Sequence, residues 1–391
     1  MKVNVSIAGL GVIGFGDFSA RSATGLADEA LKLALDDCGL KRRDVDGLAV
    51  HIGSPRGLDV DEAARLLGLE VGFVAQPWAH GRFTATVLQH AAMAVGAGLA
   101  NCVACVGVFR NSPFTRHGTS GFPGFDENFR EGAGPHSETP HLGLLAPSAG
   151  AAMALQRYMH EYRVDRDKLA AVALGQRRAA ALNPLAVKRA TLTEADYHAS
   201  PFVVEPLRRL DCSIPTDTAV VILMTSTERA RDLAKRPVKL RSFQGVSAGV
   251  NEFVFGVPGL GIHQRDVFHW QPRGAAEPVF GKAGVVPSDI DTLHCYDGFS
   301  PQVLWTLERF GFAPPGEAAD WVQAGRIEIG GELPVNTSGG HLSEGHANGW
   351  GHMAEIVRQL RGDADGRQIP DCRLALWATT FGDAILFERG N

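Results

Sequence analysis

The chain has 391 residues, 45% hydrophobic and 21% charged, with a formal net charge of −5. That length calls for two or three domains or one large pseudo-symmetric one, and the composition excludes a disordered or fibrous chain. Lys and Arg are scattered rather than clustered, so neither a nucleic-acid nor a membrane-surface footprint is expected.

The N-terminus runs straight into the strand-like segment Val3–Ala8, without a signal-peptide or lipidation pattern. Every apolar stretch is broken by charge or glycine before it reaches a membrane-spanning length. Gly9-Leu10-Gly11-Val12-Ile13-Gly14 then satisfies G-x-G-x-x-G. A dinucleotide site needs a helix opening there and an acidic residue ending the next strand. Here the helix begins only near Thr24 and the next strand ends at His51-Ile52-Gly53, so the segment reads as a glycine-rich strand end.

The first helix stops at Gly39, and helix-like His90–Ala97 stops at Gly98 before the strand Cys102–Val108. Within that strand, Cys102-Val103-Ala104-Cys105 imitates a metal pair but has no partner pair at zinc spacing, so it reads as structural. The cysteines, Cys38, Cys102, Cys105, Cys212, Cys295 and Cys372, are too sparse for a disulfide framework, and a cytoplasmic chain with reduced thiols is expected. Residues 111–147 are rich in Gly, Pro, Ser and His and read as a long loop excursion. Its phenylalanines from Phe114 to Phe129 suit either the lining of an apolar pocket or a buried partner or dimer surface.

A helix ends near Ala234-Lys235-Arg236-Pro237, and the strand Val238–Phe243 begins. Farther on the chain repeats itself. Gly39-Leu40-Lys41-Arg42-Arg43-Asp44-Val45-Asp46-Gly47-Leu48 returns as Gly284-Val285-Val286-Pro287-Ser288-Asp289-Ile290-Asp291-Thr292-Leu293, at a constant offset of 245. A looser echo joins His90–Ala97 and its strand to Met353–Leu360 and Arg373–Ala378. The chain therefore reads as two duplicate α/β halves, residues 1–234 and 235–391.

Two segments of the second half concentrate chemistry. His294-Cys295-Tyr296-Asp297-Gly298-Phe299-Ser300-Pro301 is a strand running into a turn. Residues 336–349, Asn-Thr-Ser-Gly-Gly-His-Leu-Ser-Glu-Gly-His-Ala-Asn-Gly, form a glycine- and histidine-rich loop leading into a helix. Backbone N–H groups at such a helix start, with the helix dipole behind them, favour developing negative charge.

These segments resemble the thiolase superfamily, in its sterol-carrier-protein-x and lipid-transfer branch. Ser338-Gly339-Gly340…Gly345-His346 is similar to the thiolase S-G-G…G-H-P loop, with Ala347 in place of proline. Tyr296-Asp297-Gly298-Phe299-Ser300 resembles the H-D-C-F-S segment of the branch. Tyr158-Met159-His160-Glu161-Tyr162, Asn183-Pro184, Glu205-Pro206-Leu207 and Asp211-Cys212…Thr216-Asp217 match its middle region in order. The resemblance covers essentially the whole chain. It implies an α/β thiolase fold of duplicated βαβαβαββ halves in a five-layered αβαβα sandwich, and a homodimer formed through the region around Cys102–Val108.

The departures point elsewhere. Thiolases carry a nucleophilic cysteine where this chain has Gly81 and an acid/base cysteine where it has Ala378. Without a thiol no acyl-enzyme is expected. A subgroup that lost the same cysteines consists of aldolases that cleave β-hydroxyacyl-CoA thioesters in steroid side-chain degradation, paired with an OB-fold protein of the DUF35 type. They carry a tyrosine at the position of Tyr296 and a second tyrosine at the position of His346. The resemblance thus implies a carbon–carbon lyase acting on a bulky β-hydroxyacyl-CoA, with CoA as part of the substrate and no further cofactor or metal. An acyltransferase working without an acyl-enzyme and a non-catalytic acyl-CoA- or lipid-binding subunit are the alternatives.

Retro-aldol cleavage needs a base for the β-hydroxyl proton, a site for the thioester enolate and an acid to protonate it. Free Tyr titrates at about 10 and free His at about 6.5, so a neighbouring hydrogen bond or charge must tune the tyrosine. Tyr296 and His346 are the expected acid–base pair, in either order, with Asp297 beside them. Gly81, Gly340 and Gly345 are the expected enolate pocket, and His294, His341 and His80 stand close in sequence. Arg177-Arg178, Lys188-Arg189 and Arg208-Arg209 read as solvated basic pairs that could meet a CoA phosphate.

Overall fold

The computed structural model describes residues 4–51, 57–77, 84–111, 147–245 and 276–391. Eleven strands lie in the described residues. They are β1 (Val5–Gly16), β2 (Gly47–Val50), β3 (Phe73–Ala75), β4 (Cys102–Arg110), β5 (Phe202–Val204), β6 (Leu207–Arg208), β7 (Asp217–Ser226), β8 (Val238–Gln244), β9 (Thr292–Cys295), β10 (Leu374–Ala378) and β11 (Ala384–Arg389). Nine of them form one mixed sheet in the order β3-β2-β4-β7-β1-β8-β11-β10-β9, while β5 and β6 pair separately.

The order is a mirror. In each direction from the centre it runs first strand, last strand, penultimate strand, then the second. The last strand of each set is antiparallel to both neighbours, and the strand beyond the penultimate one is parallel to it. The two sets meet where β1 and β8, the first strand of each, pair only at Ser6↔Lys239 and Ile7↔Val238. The two expected sheets are therefore continuous through one short seam, because each set places its first strand at its own edge.

Three apolar cores separate the layers. One lies under the Ala23–Cys38 helix and the outer face of β1, β4 and β7. The second holds the Thr84–Gly96 and Trp350–Arg361 helices between the inner faces. The third packs the Pro147–Tyr162, Ala170–Ala181 and Ser300–Arg309 helices on the outer face of β9 and β10. Helix, sheet, paired central helices, sheet and helix give the expected five-layered α/β sandwich.

The repeated residues do the same work twice. Gly39 and Gly284 both hold positive φ, 77° and 67°, and end their helices. Asp44 accepts the Lys41 N–H (2.8 Å), and Asp289 accepts the Val286 N–H (2.9 Å). Asp46 receives the N–H groups of Asn101 and Cys102 at the start of β4. Asp291 receives those of Arg373 and Leu374 at the start of β10. Each aspartate thus pins a parallel neighbour to its strand.

One expectation is corrected. β1 does not end at Ala8 but runs through all three glycines to Gly16. A Cβ at Gly11 would overlap the Ala30 carbonyl oxygen, so this glycine lets the Ala23–Cys38 helix lie directly on the sheet. The strand Cys102–Val108 is interior, with β2 and β7 on its two edges and both faces buried. The edge strand on that side is β3, whose Val74 is exposed. No helix among the described residues is long and apolar enough to cross a membrane. Most of the loop excursion, residues 112–146, lies outside the described residues, as do His80 and Gly81.

Candidate active site

Asn336 clamps the end of β9. Its Oδ1 accepts the Cys295 N–H (2.8 Å) and its Nδ2 donates to the Cys295 carbonyl (3.0 Å). At that clamp, successive side chains part. Cys295 enters the outer core and Tyr296 the inner one.

Asp297 follows, fully buried. Its Oδ1 accepts the His341 N–H (3.0 Å) and its Oδ2 the Leu342 N–H (3.3 Å). The same Oδ1 lies 2.8 Å from His352 Nε2 and 3.2 Å from His341 Nδ1. A buried carboxylate is tolerated only with such donors around it. Gly340 makes the approach possible: its φ is +56°, and a Cβ there would overlap the Asp297 carboxylate. Asp297 therefore organises the loop from beneath.

His341 is held at its backbone N–H by Asp297 and at its ring Nε2 by Gly349. Its Nε2 accepts the Gly349 N–H (2.9 Å), so the proton of the neutral ring sits on Nδ1, facing Asp297. Burial, and then the His346 and His352 imidazoles, hold its pKa well below the ordinary range, so it stays neutral. Asp297, His341 and His352 bring candidate ligand atoms within 4.8 Å of one another. A protonated Nδ1 has no lone pair to give a metal, and the three form a hydrogen-bonded cluster.

On this base lies His346, its ring stacked on His341 at 4.3 Å and 11°. His346 Nε2 is 3.2 Å from Tyr296 Oη and 2.8 Å from Asn348 Oδ1. Its Nδ1 is 2.7 Å from Ser213 Oγ. The Tyr296 ring stands edge-on to His341 at 4.8 Å. Ser213 arrives from a distant segment stitched into the site by three backbone bonds. The Ser213 N–H donates to the Gly298 carbonyl (3.0 Å), the Ile214 N–H to the His341 carbonyl (3.0 Å), and the His346 N–H to the Ile214 carbonyl (2.8 Å).

The structure thus brings Tyr296, Asp297, Gly340, His341 and His346 together. His294 stands behind them, its ring 6.4 Å from His352; burial, and then that histidine, push its pKa down to about 3. The Gly345 N–H donates to the Gly340 carbonyl (3.3 Å) within the loop. Sequence reasoning missed Ser213, Asn348 and His352. A polar residue two positions after His346 was a signal for Asn348, but nothing local marks Ser213.

The surroundings contain other buried acids. Glu344 accepts from Asn183 Nδ2 (2.9 Å) and Ser338 Oγ (2.8 Å), and burial, with nearby Glu355, raises its pKa to about 7. Burial also acts on Glu355, but the Arg367 guanidinium, gripping both its oxygens at 3.0 Å, outweighs it and lowers the pKa. Ala378 ends β10 and is buried. The turn after it holds Asp383, which burial raises to about 6.

No thiol is poised to attack. All six cysteines are free, and burial raises Cys102, Cys212 and Cys372 to about 12 and Cys295 well above its ordinary value. Of the basic pairs, Arg177 is buried and donates to Ser343 Oγ (2.9 Å), and Arg178 pairs with Glu328. Lys188 and Arg189 are exposed, and the Lys188 N–H bonds the Ser343 carbonyl beside the site loop.

Comparison with known proteins places this geometry. The thiolase C-terminal domain-like family model matches residues 260–385. The chain is 36% identical over 370 residues to a 17-hydroxy-3-oxo-4-pregnene-20-carboxyl-CoA lyase of Mycobacterium tuberculosis, covering 91% of each chain. It is 34% identical over 367 residues to a steroid side-chain-cleaving aldolase of Thermomonospora curvata, covering 91% of this chain and 90% of that one. Among solved structures, the Ltp2-ChsH2(DUF35) aldolase superposes with a TM-score of 0.86 at 32% identity, over 99% of this chain and 98% of the other.

Proposed function

This chain belongs to the steroid side-chain-cleaving aldolases of the thiolase superfamily, and on that premise we propose that it splits a bulky β-hydroxyacyl-CoA through Tyr296 and His346. It is a lyase of CoA thioesters. The β-hydroxyl proton leaves to a base, the O–H electron pair closes a carbonyl at Cβ, and the Cα–Cβ pair passes into the thioester as an enolate. Protonation at Cα then releases a shorter acyl-CoA. Atoms balance without a nucleophile or external cofactor.

One observation carries the site assignment: Tyr296 Oη lies 3.2 Å from His346 Nε2, with the buried, neutral His341 ring stacked against His346. Two groups able to exchange protons meet there, in a chain with no activated thiol. Asp297 positions the loop and touches no proton in transit. Gly340 and Gly81 remain our assignment for the enolate pocket, with Lys188 and Arg189 beside the loop for the CoA phosphates.

The reading extends to assembly. We assign residues 1–234 and 235–391 as the two halves, supported by the mirrored strand order. A homodimer, an OB-fold DUF35-type partner and a cytoplasmic location complete it, the partner by analogy with the similar solved aldolase.

The test is mass spectrometry of CoA species after incubation with a branched β-hydroxyacyl-CoA, with and without a DUF35-type protein. A ketone or aldehyde with a shortened acyl-CoA is expected. An acylated acceptor would make the protein an acyltransferase. Binding without turnover under both conditions would make it a carrier subunit.

A further inference from the structure

The contacts around His346 differ in what they can donate. Asn348 Oδ1 is an amide carbonyl oxygen and can only accept, so His346 Nε2, 2.8 Å away, must carry the proton. His346 Nδ1 is then a lone pair, and the group facing it at 2.7 Å is the Ser213 hydroxyl, which can donate. Tyr296 Oη, 3.2 Å from Nε2, shares the same N–H as a second acceptor. From this arrangement we infer that Ser213 is a positioning residue: its hydroxyl donates to His346 Nδ1 and fixes the Nε2–H tautomer, which directs an N–H at the Tyr296 oxygen.

The consequence is a division of labour within the pair, and it rests on the reading that Tyr296 and His346 perform the cleavage. An N–H donated to a phenol oxygen stabilises the phenolate more than the phenol. Tyr296 as phenolate takes the β-hydroxyl proton while the Cα–Cβ bond breaks. Tyr296 as phenol then returns that proton to Cα of the enolate. One oxygen serves as base and then as acid, the proton moves from Oβ to Cα, and no other group gains or loses one. His346 keeps its Nε2 proton throughout and acts through Tyr296.

The groups facing the pair fit that picture. The ring stacked on His346 is His341, neutral, with Asp297 and His352 behind it. His294 beyond them is neutral as well. Cys295 turns into the opposite core, and Glu344, two residues before His346, is bonded to Ser338 and Asn183. Arg177, buried on the adjoining helix, is bonded to Ser343. His346 Nε2 is a donor within reach of Tyr296 Oη.

The chain has four tyrosines, and burial pushes Tyr158 and Tyr197 far up, out of the way. Tyrosinate absorbance is titrated in the wild type, and subtraction of a Tyr296→Phe titration isolates Tyr296. The same pair of titrations is run on Ser213→Ala and Ser213→Thr. The expected result is a Tyr296 pKa below the free value of about 10, raised by about one unit in Ser213→Ala and returned by Ser213→Thr. A Tyr296 titration unmoved in Ser213→Ala overturns the inference. Turnover separates the two claims: if Tyr296→Phe cleaves a branched β-hydroxyacyl-CoA at the wild-type rate, the acid–base reading fails, whatever the titration shows.

Discussion

The end of β2 and the end of β9 are the same piece of architecture used twice. At the offset of 245, Asp46 matches Asp291 and His51 matches Tyr296. The aspartates do identical work, each receiving two backbone N–H groups at the start of the neighbouring parallel strand. One residue past each strand the copies part. His51 is buried against Phe109 and accepts the Trp350 Nε1–H at Nδ1 (2.6 Å). Tyr296 meets His346 above a buried polar cluster. What stays the same between copies holds the sheet, and what diverges faces the candidate site.

The comparison breaks most sharply at Tyr296. Tyr296→Phe should lower kcat for cleavage by about 10³-fold while leaving the melting temperature unchanged, checked by product formation and calorimetry. Comparable loss from a His51 variant, or none from Tyr296→Phe, would erase the distinction between the copies. Next comes Gly340→Ala. Its Cβ would collide with the Asp297 carboxylate at a positive φ, so a loss of about 3 kcal/mol in denaturant unfolding is expected, with cleavage lost alongside.

Smaller effects sharpen the shared part. Asp46→Ala and Asp291→Ala should each cost about 1–2 kcal/mol, since each deletes the same pair of backbone bonds, with Asp46→Ala the larger because it also loses the Asn101 Nδ2 bond. Burial acts to raise the Asp46 pKa, but the N–H groups of Cys102 and Asn101 outweigh it and lower it. Its ion therefore stabilises the fold above the ordinary carboxylate value of about 3.9, and this is lost as the pH falls through the lower, folded value. Asp46→Asn should flatten the acid branch of a stability–pH curve in that window. Smallest of all, His51→Phe should cost about 1 kcal/mol for the Trp350 bond and leave the cleavage rate untouched.

The legible and illegible parts of this molecule divide along the same line. The duplication, the glycine helix stops and the loop carrying His341 and His346 lie in contiguous residues, and contiguous patterns can be read. Tyr296 and His346 were legible because each sits in its own local motif. Ser213 was not, because its place beside His346 depends on backbone bonds to Gly298 and His341, whose partners are far away in the chain. The long run of β1 through Gly9, Gly11 and Gly14 was hidden because Gly9 and Gly11 answer to a helix packed above them.

The central claim is that the divergent copy moves a proton from Oβ to Cα as the carbon–carbon bond breaks. Cleavage of a branched β-hydroxyacyl-CoA in heavy water tests it directly, by the mass of the shortened acyl-CoA. The account predicts that product carrying a single solvent deuterium at Cα, together with the matching ketone or aldehyde. A substrate recovered intact after demonstrated binding, or an acyl group passed whole to an acceptor, would contradict it.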